Sequence, residues 1–265
     1  MTFHCRICRM VWLAALWATS AVATPVEPDA RPVVRLASSD WAPFAAPGLP
    51  AQGSSTAILR QTLAQAGYRL EVVWLPWART IRDGIGHRPG LDGYFPEYQT
   101  HDTERRCKLS APIGSSALGL AYLPGRVIEW ETISDLSRYR VGVVSAYVNS
   151  DAFDAAVASG QLAVDVASSD ISNLRKLLQR RIDVAVIDYQ VMHYLLAHSP
   201  LHSEALALEF HSRWLAEHPL RVCFRHDARL QPVLEALKQR VPTLPALRRH
   251  QRDYLKQLGS QPQPG

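Results

Sequence analysis

Segments with strand and helix character alternate along most of the chain, and this alternation limits its fold more than any other feature. Short apolar or alternating runs predict strands at residues 33–37, 68–74 and 91–95. Between them, apolar residues at helical spacing predict helices over about 54–66 and 77–85. Strands separated by helices are typical of a mostly parallel sheet with helices on its faces.

The same alternation restarts near residue 116. Further strands are predicted at 116–123, 140–144, 162–166 and 183–188, with helices at 149–158, 169–181 and 189–198. Two such units in tandem imply two lobes, and ligand sites favour the crevice between such units, at the carboxyl ends of their strands. The chain then ends with one strand and two helices, which are too few for a third domain and are expected to complete the first lobe.

Local signals indicate where the first two helices begin and end. Ser54 and Ser55 are expected to cap the first helix, and Gly67 is expected to end it. Pro76 ends the second strand, so Trp77 is expected to begin the second helix.

The N-terminus predicts a secretory signal peptide over residues 1–23. Arg6 and Arg9 precede an apolar run from Met10 to Ala18, and Ala21-Val22-Ala23 gives the small-x-small cleavage pattern. This run is too short to span a bilayer, which needs roughly 20 residues. A membrane anchor or a buried helix is the alternative, but an exported protein fits the pattern better.

Several classes of function have no support in the sequence. The net charge of +5 is spread along the chain without the basic stripe of a nucleic-acid-binding protein. There is no phosphate loop, no nucleophile elbow and no zinc-protease motif. His198 and His202 are four residues apart, but Pro200 lies between them, so they are not expected to share a helix face and bind a metal. No other cofactor is expected, and no set of catalytic residues stands out.

The cysteines leave one pair in the exported protein. Cys5 and Cys8 would be removed with the signal peptide, and Cys107 and Cys223 would remain. An exported compartment permits a disulfide between them. Two buried thiols acting as small apolar residues are the alternative.

The order of several short motifs resembles a known family. The motifs are SSDWAPF (38–44), LPWARTIRDGI (75–85), LDGYFPEYQTHDTERR (91–106), DLSRYRVGVVSAYVNS (135–150) and LLQRRIDVAVIDYQV (177–191). Together they resemble the bacterial extracellular solute-binding proteins of family 3, the periplasmic receptors for amino acids and similar polar solutes. The resemblance extends over about residues 33–258.

The resemblance implies an α/β fold of the type II periplasmic binding protein class, in which two lobes are joined by two hinge strands. Lobe 1 would comprise residues 31–110 plus 226–258, and lobe 2 residues 111–225. The chain would cross between them near 110–112 and near 222–225, so each remaining cysteine falls close to a crossing.

The resemblance also implies an aromatic ligand site. Trp41 and Trp77 match positions at which the family stacks aromatic rings on the ligand, although both could instead be core residues. Trp74, within the second strand, is expected to be core. Tyr147 lies, with Ser145, in the segment where the second lobe offers hydrogen-bond donors, and Asn149 belongs to the same segment.

Charged residues complete the implied site. Arg105 matches the arginine that clamps a ligand carboxylate, but the spacing after it is short, so Arg106 or Arg79 could take the role. Asp188 matches the acid that receives a ligand ammonium, or it could simply cap the next helix. Glu97 stands where the family usually has small hydroxyl residues, and this difference argues against an ordinary α-amino acid. A cationic or amine-bearing ligand is the resulting hypothesis.

The function implied is capture of a small polar solute and its delivery to an ABC permease of the inner membrane by a monomeric periplasmic protein. Two alternatives remain open. One is a ligand-sensing subunit that acts through a membrane signalling partner. The other is a dehydratase-like enzyme on the same fold, with Glu97 as the acid or base.

Overall fold

The structure is a computed structural model that describes Met1 and residues 29–86, 88–201 and 208–259. Apart from Met1, the predicted signal peptide lies outside the described residues. All strands and helices named below lie in the unit Arg31–Gly265. In the described ranges no helix combines the length and the apolar character needed to span a bilayer.

The strands of the described residues form one mixed sheet. They are β1 (Val33–Ser38), β2 (Arg69–Trp74), β3 (Gly93–Tyr98), β4 (Lys108–Leu109), β5 (Gly114–Tyr122), β6 (Val141–Val144), β7 (Val164–Ala167), β8 (Val184–Asp188), β9 (Glu209–Phe210) and β10 (Ala216–Phe224). The order across the sheet is β2-β1-β3-β10-β5-β8-β6-β7, while β4 pairs with β10 and β9 pairs with β5.

Two parallel strand groups stand at the two ends of this sheet. In the first group β1 pairs in parallel with β2 and β3, and in the second β6 pairs in parallel with β7 and β8. β1 and β6 are each connected to their parallel neighbours through segments that contain a helix, as parallel pairing requires. The alternation of strands and helices in the sequence predicted this arrangement.

β10 and β5 join the two groups by antiparallel pairing. Ala216 to Leu220 pair with β5, and Leu220 to Phe224 pair with β3 and β4. Leu220 itself pairs with Tyr98 on one side and Gly114 on the other. β10 therefore pairs with strands of both groups, and no loop interrupts it between the two pairings.

The helices cover both groups. They are α1 (Ser54–Gln65), α2 (Trp77–Ile85), α3 (His101–Arg106), α4 (Asp151–Ala158), α5 (Asp170–Leu178), α6 (Tyr189–His198), α7 (Gln231–Arg240) and α8 (Leu244–Gly259). α7 and α8 pack against α1, while α5 and α6 pack against β8. On α1, Leu59 and Leu63 are fully buried, and each such side chain contributes roughly 1.5–3 kcal/mol.

The ends of α1 confirm one prediction and correct another. Gly67 follows the helix with φ of 83°, the left-handed conformation that glycine adopts without strain. Ser54 and Ser55 do not cap the helix, because the N-cap is Gly53 and the two serines are its first helical residues. A Cβ on Gly53 would lie 2.4 Å from the carbonyl oxygen of Phe44, so only glycine fits at this position.

β3 extends further than its sequence predicted. The expected strand ended at Phe95, but the observed one runs to Tyr98 and includes Pro96 and Glu97. The pairing register of β10 shifts between Arg221 and Cys223, opposite this segment. The irregularity lets the strand accept a proline, which has no N–H to donate.

A disulfide joins Cys107, at the end of α3, to Cys223 on β10. The two Cα atoms are 5.5 Å apart, and both residues are buried in a cluster that includes Tyr94. Trp77 packs against the same cluster. The bond thus fixes α3 to a strand shared by both groups.

Candidate functional site

The carboxyl ends of β1, β2, β3 and β6 meet at a cleft between the two strand groups. A small cavity of about 30 Å³ lies there and is lined by Ser39, Trp41, Trp77, Pro96, Glu97, Tyr98, Tyr147 and Val148. A larger and more open cavity of about 890 Å³ shares Ser39, Trp41, Trp77 and Tyr147 with it. We refer to the two cavities together as the cleft.

Aromatic side chains form the walls of the cleft. Trp41 contacts Tyr98 with ring centroids 6.0 Å apart, and Trp77 contacts Tyr147 edge-on at 6.1 Å. Tyr98 in turn stacks on His218 at 4.3 Å. These ring contacts fix the orientation of the walls, and each is of the offset or edge-on kind that aromatic pairs prefer.

Three tryptophans of the described chain line the cleft, and all of them come from the first strand group. Trp77 is the first residue of α2, directly after Pro76, as predicted. Trp41 lies in the turn after β1 and forms an isolated bridge with Ala45. Trp74, predicted to be core, packs against the core and also lines the large cavity.

Direct contacts cross the cleft between the strand groups. Trp77 Nε1 donates a hydrogen bond to the carbonyl oxygen of Ala146 over 3.0 Å. Outside the cleft, His101 Nδ1 lies 2.7 Å from Asp151 Oδ2. The indole N–H of Trp77 is therefore held by protein backbone, which leaves its ring to face the cavity.

Glu97 is a buried carboxyl group, only 3 % exposed, that lines the small cavity. It accepts hydrogen bonds from Tyr94 Oη at 2.6 Å and from the backbone N–H of Tyr98 at 2.8 Å. Arg106 Nη2 is 3.2 Å from Glu97 Oε2. Burial raises the pKa of Glu97, while the tyrosine and the arginine oppose that rise.

Asp170 is a second acid of the cleft, and it is not among the site residues predicted from the sequence. It is the first residue of α5, is 7 % exposed and lines the large cavity. Tyr147 Oη donates to Asp170 Oδ2 over 3.1 Å, and the Trp41 side chain provides a second donor to the same carboxyl group. Burial, reinforced by the charge of Asp188, raises its pKa to about 7. A signal was available, because Asp170 follows the end of β7 by three residues, at the edge where a site was expected.

Asp188 caps α6, which is the alternative stated for it above. Its Oδ1 accepts from the backbone N–H groups of Gln190 at 2.6 Å and Val191 at 2.9 Å, and its Oδ2 accepts from the Ser116 hydroxyl. Burial raises its pKa to about 6. Asp188 is not among the residues that line the cleft, although Ser116 connects it to Tyr98 through a contact of 2.6 Å.

The structure does not bring Arg105 to the cleft. Its side chain is exposed and pairs with Asp102 at 3.2 Å on the surface of α3. Arg106 faces inward and reaches Glu97, while Arg79 is exposed on α2. None of the three lines either cavity of the described structure. The carboxylate clamp predicted at Arg105 therefore has no support from its position.

Of the other predicted hydrogen-bond donors, two line the cleft and one does not. Tyr147 lines both cavities and Ser145 lines the large one. The Asn149 side chain instead donates to Asp154 Oδ1 at 3.1 Å. Four of the predicted ligand residues therefore meet in the small cavity, and they are Trp41, Trp77, Glu97 and Tyr147.

Comparison with known proteins gives structural relatives only. No family model matches the chain, and no curated protein matches it. A histidine kinase sensor domain with similarity to periplasmic binding proteins is 14% identical and covers 87% of this chain and 96% of its own, with a TM-score of 0.67.

Two further structures are similar over most of their length. An ancestral arginine-binding protein bound to arginine is 13% identical over 86% of this chain and 98% of its own, with a TM-score of 0.63. The GluR0 ligand-binding core from Nostoc punctiforme, in complex with L-glutamate, is 17% identical over 78% of this chain and 92% of its own, with a TM-score of 0.62. At such low identity the similarity establishes the fold, and it confirms the predicted two-lobed periplasmic binding protein architecture.

Proposed function

We propose that this protein is a solute-binding protein of the periplasm that captures a small polar solute in the cleft and delivers it to an ABC permease of the inner membrane. The observation that carries the proposal is the small cavity, where Trp41, Trp77, Glu97, Tyr98 and Tyr147 meet at the carboxyl ends of strands. Two of the solved relatives named above are bound to arginine and to L-glutamate, which favours an amino acid, an amine or a related compound.

The proposal assigns the lobes as the resemblance implied. Lobe 1 is residues 31–110 plus 226–258, lobe 2 is residues 111–225, and the chain crosses between them near 110–112 and near 222–225. The contacts of α7 and α8 with α1 support the return of the chain to lobe 1. Hinge motion about the two crossing strands would bury the solute between the lobes.

Export is part of the proposal. It rests on the predicted signal peptide at residues 1–23 and on the Cys107–Cys223 disulfide, a bond that persists in oxidising compartments. We infer a monomer without a cofactor, and binding rather than catalysis, since the three solved relatives are described as binding or sensor proteins.

A sensing role is the second candidate. The histidine kinase sensor domain has the higher TM-score of the three relatives described, and its name places the same fold in signalling. In that case the loaded protein would act through a membrane signalling partner rather than a permease. Crosslinking in membranes of the native host separates the two roles, because it captures a permease in one case and a signalling protein in the other.

Solute binding is tested first by a thermal-shift screen. The protein, expressed from its full chain, is unfolded and refolded to remove carried solute and is then mixed with amino acids, amines and small carboxylates. A solute that binds only the folded protein raises the midpoint by mass action, so one chemical class should produce a shift. Trp77→Ala should abolish that shift, because Trp77 lines both cavities of the cleft.

Trp214→Ala is the matched control for this screen. Trp214 is also a tryptophan, but it is 48 % exposed and is not among the residues that line the cleft. The control should keep the wild-type shift. The proposal fails if no class of compound shifts the midpoint of the wild-type protein, or if Trp77→Ala retains the full shift.

A further inference from the structure

The charge of the cleft limits the solute more narrowly than the fold does. Among the described residues that line the two cavities, the charged ones are Asp40, Glu97 and Asp170, and none is a lysine, an arginine or a histidine. A ligand carboxylate is normally bound by a bidentate arginine or another cation. The three arginines considered for that role all lie outside this lining.

Of the three acids, Asp170 has the least compensation for its charge. Glu97 has Arg106 beside it at 3.2 Å, and Asp40 is exposed. The donors that reach the Asp170 carboxyl group are the Tyr147 hydroxyl, the Trp41 side chain and the backbone N–H of Asp170 itself, all of them neutral. A buried carboxylate held by neutral donors gains most from a cation placed beside it.

The walls around Asp170 suit such a cation. Trp41 and Tyr147 both contact its carboxyl group and both line the cleft with their rings. Trp77 stands 6.1 Å from Tyr147, so a third aromatic ring borders the same space. Aromatic faces attract ammonium and guanidinium groups, with the strongest effect for tryptophan.

An ordinary amino acid fits this lining poorly. Its carboxylate would enter a cleft with acids on its walls, and the described lining offers no cation to offset the cost of removing the carboxylate from water. The same amine without a carboxylate avoids that cost and keeps its attraction to Asp170.

We propose that the cleft selects an organic cation without a carboxylate, a primary amine or a guanidine, whose charged group lies against Asp170 between Trp41 and Tyr147. This inference rests on the proposed solute-binding function and narrows it. It keeps the amine hypothesis drawn from the sequence but replaces Asp188 with Asp170 as the acid that meets the ligand.

Two matched pairs of probes test the inference, since the members of each pair differ only in the carboxylate. They are agmatine against arginine, and 1,5-diaminopentane against lysine, measured by titration calorimetry on the refolded full chain. We expect the member without the carboxylate to bind about tenfold more tightly in at least one pair. Equal or tighter binding of the amino acid in both pairs would overturn the inference.

The outcomes separate this inference from the proposed function. If the thermal-shift screen finds a neutral or anionic solute and neither pair binds, the cation inference is wrong while the binding function stands. If no compound of any class binds, the proposed function fails and this inference fails with it.

Asp170→Asn tests the assigned residue. It should weaken binding of the preferred amine by about tenfold, and Asp170→Glu, which keeps the charge, should recover part of the loss. Asp253→Asn, at an exposed position on α8, should bind as the wild type does. Unchanged affinity in a folded Asp170→Asn protein would overturn the assignment, and if that variant does not fold, the paired probes decide.

Discussion

Asp170 and Glu97 are both buried carboxyl groups of the cleft, but the protein stabilises them differently. Glu97 has a cation, a hydroxyl and a backbone N–H to stabilise its charged form. Asp170 has only neutral donors, and its pKa of about 7 means that it keeps its proton over most of the acidic range. Asp188 acts in the same direction, with a pKa of about 6.

This difference predicts an unusual dependence of stability on pH. The pKa of Asp170 is 3.8 for an ordinary aspartate, as in the unfolded chain, and about 7 in the folded protein. Its contribution to stability is therefore complete below about pH 4 and is lost as the pH rises through 7. The contribution of Asp170 to the free energy of unfolding should therefore fall between about pH 4 and 7. Urea denaturation over that range should show a smaller fall for Asp170→Asn.

The control for this measurement is Asp253→Asn, which should reproduce the wild-type dependence. Carboxyl groups with lowered pKa values, such as Asp83 and Asp183, act in the opposite direction, but they do so below about pH 4. If Asp170→Asn keeps the full wild-type slope between pH 4 and 7, the carboxyl group does not titrate as described.

At the level of secondary-structure elements, the starts of α5 and α6 explain why two similar aspartates have different roles. Asp188 is the N-cap of α6, so its oxygens turn back to the first backbone N–H groups of the helix. In α5 the cap is Ser169, and Asp170 follows as the first helical residue. Because the Ser169 side chain accepts the capping hydrogen bond from the backbone, the Asp170 side chain does not cap the helix and lines the cleft instead.

The capping role predicts how Asp188 variants behave. Asp188→Ala removes two hydrogen bonds from α6 and one from Ser116, and it should lower the free energy of unfolding by about 1–2 kcal/mol. Asp188→Asn keeps a capping oxygen and should lose less. Urea denaturation of both variants measures the difference, and equal losses would argue against the cap.

Most elements could be predicted from the sequence, because their signals are local. β1, β2 and β6 lie within one or two residues of their predicted bounds, and Trp77 begins α2 as expected. α3 was not predicted, since its residues are all polar and a six-residue helix has no apolar period to reveal it. The extension of β3 through Pro96 depends on a register shift in β10, which is distant in the sequence.

The candidate site was predictable to the extent that it follows strand ends. Trp41 and Tyr147 come directly after strands that were found correctly, so they reach the cleft. Arg105 and Arg106 are adjacent on a short helix, and a turn of about 100° per residue sends one outward and the other towards Glu97. No local pattern distinguishes these two residues, because the direction depends on how α3 packs.

At the scale of the whole molecule, the disulfide connects residues 116 positions apart. Closing so long a loop restricts the unfolded chain, so Cys107→Ala with Cys223→Ala should lower the free energy of unfolding by about 2–4 kcal/mol. The solute should bind with unchanged affinity, since neither cysteine lines the cleft. Urea denaturation and calorimetry of the double variant check both statements, and lost binding in a folded variant would contradict the second.

The double pairing of Leu220 also has a mechanical consequence. Because one fully buried residue is bonded into both strand groups, neither group can slide past the other without breaking the ladder of β10. Bending and twisting about this pair of adjacent strands remain as soft degrees of freedom, while translation is stiff. In the proposed hinge motion, the two sides of the cleft would therefore approach each other along nearly one path, and the aromatic walls would meet in the same register each time.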